Sequence, residues 1–314
     1  MSLRALLACP HLQRELPRFA SRFRDLGVEV ETPEVDQQLN EQWLLDNIER
    51  FDGVVAGDDP FTAAVLARAK RLRVIAKWGI GVDNIDLDAA KAMGIRVINT
   101  PGQLSAEVAE VTIGYMVMLA RHLHKIDAAV RAGDWAQIRG STLAGKTLGV
   151  IGLGAIGRAV ARRALGMEMQ VLGYDPYADQ SAIEALGVEL VPLSRLLADA
   201  DYISLNCNLT PENFHLIDAK ALAAMKQGVF LINTSRGPLV DERALIQALA
   251  SGRLAGVALD VFEEEPLSAL SPLRRFENCI FGAHNCSNTQ EAVARINEVV
   301  VANLLSVLVK EVAA

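Results

Sequence analysis

Short apolar runs alternate with amphipathic stretches through the first hundred residues of this chain. Runs at 3–8, 28–31, 53–56, 73–76 and 95–98 have the length and the flanking turn residues of buried strands. Between them, 12–23, 40–50, 62–70 and 87–93 repeat their apolar positions at helical spacing. This alternation predicts a parallel sheet with helices on both faces. Asn99-Thr100-Pro101-Gly102 then interrupts it with a strong turn signal. A long helix is expected over 105–124, continuing to about 132. A second alternation starts at Lys146, with strands expected at 147–151, 170–174, 202–206, 229–233 and 256–261. The last helix is expected to open on the capping pattern Ser287-Asn288-Thr289-Gln290 and to run to 310. The pattern therefore predicts an α/β protein of two doubly wound parallel-sheet units.

Composition narrows the partners more than the fold. The 314 residues are 51% apolar and 22% charged, enough for two separate cores. A net charge of -7 argues against nucleic acid or an anionic membrane as a partner. The longest apolar stretch in the pattern, 111–120, is about half of the ~20 residues a spanning helix needs. Leu6-Leu7-Ala8-Cys9 resembles a lipoprotein cleavage site, but the apolar run before it is too short for a secretory leader. Cys9, Cys207, Cys279 and Cys286 form no CxxC pair and join no His-rich ligand group, so no metal is expected. A cytoplasmic location with reduced thiols follows. His122 and His124, at i and i+2, fall on different helix faces, and Trp135 reads as a hydrophobic plug or an intersubunit anchor.

The most informative segment is Gly152-Leu153-Gly154-Ala155-Ile156-Gly157, between an expected strand and an expected helix. Gly152 permits a tight turn, Gly154 admits a pyrophosphate to the backbone, and Gly157 brings the helix onto the strand. The phosphate charge then meets unpaired N–H groups at the helix start. Asp175 ends the next strand, eighteen residues after Gly157, where an acid binds the adenosine ribose. Its carboxylate would repel a 2′-phosphate, which favours NAD over NADP.

Three further residues follow expected strands: Arg236 in Asn233-Thr234-Ser235-Arg236-Gly237, Glu265 in Asp260-Val261-Phe262-Glu263-Glu264-Glu265-Pro266, and His284 in Gly282-Ala283-His284. Alone, each reads equally as a surface ion pair, a solvated acidic turn or a buried imidazole. Together they supply an anion anchor, a proton carrier and a group to tune it, which is what hydride transfer at a secondary alcohol requires.

With Gly79-Ile80-Gly81-Val82-Asp83-Asn84-Ile85-Asp86 and the segment 146–157, these blocks make the chain resemble the D-isomer-specific 2-hydroxyacid dehydrogenase family over essentially its whole length. The resemblance is nearest to short, phosphoglycerate-dehydrogenase-like members without a regulatory domain. It implies a Rossmann NAD domain, residues 100–284, inserted into a flavodoxin-like substrate domain of residues 1–99 and 285–314, and a homodimer. It also implies that Arg236 binds the substrate carboxylate and carbonyl, that His284 is the general acid/base, and that Glu265 orients His284 and raises its pKa. The resemblance further implies that Asp260, Cys207, Thr234 and Ser235 join the glycine loop and Asp175 in holding NAD. It likewise implies that Lys77, Trp78, Gly79, Ile80 and Gly81 would contact substrate from the other domain, with closure of the cleft excluding water.

Three departures from the family pattern bear on substrate. Lys77-Trp78 replaces a common arginine, 56–60 is acidic where phosphate-binding members place an arginine, and Asn285-Cys286 replaces the usual pair after His284. A small 2-hydroxy or 2-oxo acid is expected, with phosphoglycerate, hydroxypyruvate and glyoxylate chemistry all open. The alternative is an NAD-sensing scaffold like the corepressors of this fold. Formate oxidation is disfavoured, because formate enzymes pair their histidine with Gln rather than Glu.

Overall fold

The apolar runs become strands because residues such as Val54, Val55, Ile75 and Ala76 are covered on both faces. The computed structural model of the protein describes residues 2–310. The chain divides into two units, Met1–Leu104 with Asn288–Ala314, and Ser105–Ser287. The end of the expected substrate-domain segment, 311–314, lies outside the described residues.

In the first unit, β1 (Leu3–Leu7), β2 (Val28–Glu31), β3 (Gly53–Ala56), β4 (Val74–Lys77) and β5 (Arg96–Ile98) form one parallel sheet in the order β2-β1-β3-β4-β5. Its order reverses between β1 and β3, and sheets of this kind bind ligands beyond the carboxyl ends of the strands at such a point. Helices start where side chains satisfy their free N–H groups: Asn40 caps Glu41–Asn47, Thr62 caps Ala63–Arg68 and Asp86 caps Leu87–Ala92.

The last helix, Gln290–Lys310, buries Ala292, Ile296, Val300, Leu304 and Leu308 completely, a stripe at i+4 spacing. Each of the larger side chains contributes roughly 1.5–3 kcal/mol by that burial. A Cβ on Gly53 would come within 2.7 Å of Leu304 Cδ1, so the missing side chain admits the helix to the sheet. This helix begins at Gln290, and Thr289 Oγ1 accepts the Ala292 N–H at 3.0 Å. The cap is therefore Thr289, two residues beyond the expected Ser287. It also passes the length and hydropathy test for a membrane span over Gln290–Val309, which the stretch 111–120 does not. Most of its apolar residues are core residues, and buried Asn297 accepts the Trp78 Nε1–H bond at 2.8 Å.

The second unit is a seven-stranded parallel sheet of β6 (Thr147–Ile151), β7 (Gln170–Tyr174), β8 (Glu189–Leu190), β9 (Tyr202–Leu205), β10 (Val229–Asn233), β11 (Leu254–Leu259) and β12 (Cys279–Phe281). The order β12-β11-β10-β9-β6-β7-β8 reverses between β6 and β9. The strand expected at 256–261 starts two residues earlier and ends at Leu259, which leaves Asp260 in the loop beyond the sheet. The helix expected over 105–124 ends at Arg121, because His122 takes a left-handed conformation (φ 54). A separate helix, Leu123–Arg131, follows.

Candidate active site

The glycine loop is shaped by what surrounds each glycine. Gly152 has φ 90, and a Cβ there would come within 2.5 Å of the Cys207 N–H and against Asn206. A Cβ on Gly157 would overlap the Gly152 carbonyl oxygen. Gly154 has no atom within 4 Å of its Cβ position, so its backbone faces open space at the start of the helix Ala155–Gly166. Asp175 is tied to this loop: Oδ2 accepts the Leu153 N–H at 2.8 Å and Oδ1 accepts the Tyr177 N–H at 2.9 Å. At the point where the sheet order reverses, buried Asn206 Oδ1 has no partner among the described residues. An open glycine backbone, a half-buried carboxylate and a buried acceptor without a donor fit a dinucleotide with phosphates and ribose hydroxyls.

Ser235 Oγ donates to the Cys207 carbonyl, joining the loops after β9 and β10. Burial pushes the Cys207 thiol up to about 11, so this side chain packs as a neutral thiol. Thr234 Oγ1 lies 3.0 Å from Thr112 Oγ1. The Arg236 loop is braced by Asn233, whose Oδ1 accepts the Ser235 N–H at 3.0 Å and whose Nδ2 donates to the Arg236 carbonyl at 2.8 Å. The half-buried Arg236 side chain donates through NH1 to the Ser235 carbonyl at 2.9 Å.

Because β10, β11 and β12 are neighbours, their following loops meet. Asp260 is buried, with Oδ2 accepting the Cys286 N–H at 3.0 Å and its carbonyl accepting the His284 N–H at 2.7 Å. Tyr115 donates its hydroxyl to Asp260 Oδ1 at 3.4 Å. Burial, and then the Asp260 carboxylate, raise the Tyr115 hydroxyl and the Cys286 thiol well above their ordinary ranges. Cys286 therefore stays a thiol beside the site. His284 Nδ1 lies 2.8 Å from Glu265 Oε2, and Glu265 Oε1 accepts the Phe262 N–H at 2.9 Å. A carboxylate at this distance favours a proton on Nδ1.

In the first unit, Lys77 closes β4 with its side chain buried, and Nζ meets Asp58 Oδ1 at 2.9 Å and the Trp78 carbonyl at 3.3 Å. The acidic loop expected at 56–60 is thus partly compensated. Asp59 is fully buried, accepts the Leu39 and Gly57 N–H groups, and has its carboxyl raised by desolvation. Trp78 stacks on His11 with centroids 4.5 Å apart, and burial, with Arg14 adding to it, lowers the His11 imidazole. Gly79 has φ 113 and bonds Thr100, while Asn99 Nδ2 donates to the Ile80 carbonyl at 2.7 Å. Ile80 and Gly81 remain half-exposed.

The model of the D-isomer specific 2-hydroxyacid dehydrogenase NAD binding domain matches residues 113–286, more than half of the chain. The chain belongs to the D-isomer-specific 2-hydroxyacid dehydrogenase family. D-3-phosphoglycerate dehydrogenase of Methanocaldococcus jannaschii is 41% identical over 289 residues, 91% of this chain and 55% of the relative, so the chain spans about half the length of that protein. Glyoxylate reductase of Korarchaeum cryptofilum is 39% identical over 270 residues, 84% of this chain and 81% of the relative. The crystal structure of D-lactate dehydrogenase from Aquifex aeolicus complexed with NAD and lactic acid superposes with a TM-score of 0.86, at 29% identity, covering 97% of this chain and 95% of that one.

In this member of the 2-hydroxyacid dehydrogenase family, the matched NAD-binding segment contains the glycine loop, Asp175, Arg236, Asp260, Glu265 and His284. NAD is the cofactor that this unit holds. Residues 77–81 lie outside the segment. Tyr115 and Asn206 carry no signal in the sequence, because their polar atoms gain meaning only from the fold around them. The same holds for His215, which approaches Glu263 across 48 residues.

Proposed function

We propose that this chain is an NAD-dependent oxidoreductase interconverting a small D-2-hydroxy acid and its 2-oxo acid. The observation that carries this reading is the 2.8 Å pairing of His284 Nδ1 with Glu265, beside a loop built for a dinucleotide. Bound NADH supplies the hydride for reduction. His284, protonated at Nε2, gives its proton to the oxygen that becomes the hydroxyl and takes it back in oxidation. Glu265 orients the ring and favours its charged form. Arg236 holds the substrate carboxylate through its planar donor fork. Buried Asp260, fixed by Tyr115 and Cys286, orients the carboxamide end of the cofactor. Asp175 binds the adenosine ribose and disfavours NADP.

In the first unit we assign substrate contact to the backbone of 79–81 and to Lys77 and Trp78. Lys77 already pairs with Asp58, so that subsite offers a neutralised ammonium and no arginine fork. This favours glyoxylate or hydroxypyruvate over a phosphorylated 2-oxo acid. The same reading makes the protein a cytoplasmic homodimer. NADH oxidation with glyoxylate, hydroxypyruvate, 2-oxoglutarate and phosphohydroxypyruvate tests it. Binding of NADH without turnover of any of these acids would favour the scaffold alternative.

A further inference from the structure

The turn at 262–265 carries three carboxylates, and the structure uses them unequally. Glu265 accepts from Phe262 and pairs with His284, as described above. Glu263 serves a second histidine: Oε1 lies 2.9 Å from His215 Nε2 and also accepts the Glu242 N–H at 3.0 Å. Glu242 returns that bond, accepting the Glu263 N–H on Oε1 at 2.8 Å. One short turn therefore anchors two His–Glu pairs, using alternate acids.

The segments joined in this way also bond to one another. His215 has a left-handed backbone (φ 53), and its N–H donates to the Pro238 carbonyl at 2.8 Å. Ile217 forms a parallel bridge with Val240, and the Asp241 N–H donates to Ile217 at 3.1 Å. Gly237, next to Arg236, lies so close to Phe262 that a Cβ would overlap its carbonyl group. Contacts thus run from His215 along the segment 237–241, and Glu263 ties His215 and Glu242 to the turn bearing Glu265. Burial raises the Glu242 carboxyl, with Glu263, Glu264 and Glu265 adding to it, so a donor or cation is favoured here. The ligand atoms of His215, Asp241 and Glu263 lie within 4.8 Å of one another. However, Asp241 Oδ1 accepts the Ala244 N–H and Glu263 Oε1 already has two donors, so these oxygens serve the protein.

We propose that His215 is a positioning residue which, through Glu263 and the Glu242 backbone, fixes the turn at 262–265 and holds the Glu265 carboxylate against His284. The proposal rests on the acid–base reading of His284 given above. Such bracing matters because misplacing a reacting group by about 1 Å costs on the order of a hundredfold in rate. The side chains of His215 and Glu263 are 30% and 35% exposed, so the pair adds little to global stability.

His215→Phe keeps a ring beside Phe214, where the centroids are 4.0 Å apart, and removes the donor. Glu263→Ala removes the bridge, and Glu263→Gln keeps an oxygen able to accept both bonds. With five histidines in the chain, the His284 imidazole can be titrated by NMR in the cofactor-free protein, a readout that needs no turnover. In His215→Phe and Glu263→Ala, the His284 midpoint should fall toward that of Glu265→Gln. Their kcat should fall about tenfold or more with KM little changed, and Glu263→Gln should retain most of both properties. A His284 midpoint at the wild-type value in both disrupted variants overturns the proposal, whatever their melting temperatures. If the midpoint falls in a protein that turns over no 2-oxo acid, the bracing role stands and the catalytic reading fails.

Discussion

Replacing Glu265 by glutamine removes one charge and turns one acceptor into a donor. Glu265 accepts twice, from the Phe262 N–H at 2.9 Å and from His284 Nδ1 at 2.8 Å. A carboxamide has one oxygen and one NH2 group. If the oxygen keeps the Phe262 bond, the NH2 faces Nδ1 and selects the neutral ring. If the oxygen turns to His284, two donors face each other at Phe262, which costs about 1–3 kcal/mol. Both outcomes disfavour the imidazolium. Loss of an adjacent opposite charge moves a pKa by about 1–3 units. The side chains of His284 and Glu265 are 28% and 20% exposed, so solvent screens part of that interaction. Reduction requires protonated His284, so its activity is lost as pH rises through the imidazole pKa. In Glu265→Gln that limb should move toward lower pH, and reduction above it should fall in proportion to the displacement. Oxidation requires the neutral ring, so its acidic limb should move the same way and its rate below that limb should rise. The assay is kcat/KM against pH in both directions, with NADH affinity measured alongside. Unmoved limbs, or an equal loss at every pH in both directions, would refute the reasoning.

Gly157→Ala should drive its Cβ into the Gly152 carbonyl and distort the cofactor loop. Overpacking of this kind costs about 1–3 kcal/mol, so calorimetry should show Tm several degrees lower together with weaker NAD binding; unchanged values in both would contradict the close approach. Asp175→Ala removes the acceptor of the Leu153 and Tyr177 N–H groups as well as the ribose carboxylate. NAD affinity should fall about tenfold or more and discrimination against NADP should relax, and an unchanged NAD-to-NADP preference in titrations would remove that role from Asp175.

The sheets were readable because strands buried on both faces are uninterrupted apolar runs, as at 53–56 and 147–151. The strands β8 and β12, two and three residues long, carry too little pattern to be recognised. The glycine loop was legible for a local reason: its three glycines lie within six residues, between one strand and one helix. His284 and Glu265 were legible only as members of a set, since nineteen residues separate them and the register of β11 and β12 brings them together. Lys77 was visible as a departure in sequence, but its buried pairing with Asp58 depends on the neighbouring positions of β3 and β4. The pair formed by His215 and Glu263 spans 48 residues and left no periodic signal. Local capping chemistry misplaced the final helix start, because both Ser287 and Thr289 satisfy the same residue preference and only the backbone path selects Thr289.

The central claim is tested most directly by NADH oxidation with glyoxylate and hydroxypyruvate in the wild type and in His284→Ala. The wild type should turn over at least one of these acids. The variant should lose about 10²–10⁴ in kcat while its NADH affinity stays nearly unchanged. A wild type that binds NADH but turns over neither acid, nor 2-oxoglutarate or phosphohydroxypyruvate, would contradict the account, as would a His284→Ala variant that works at the wild-type rate.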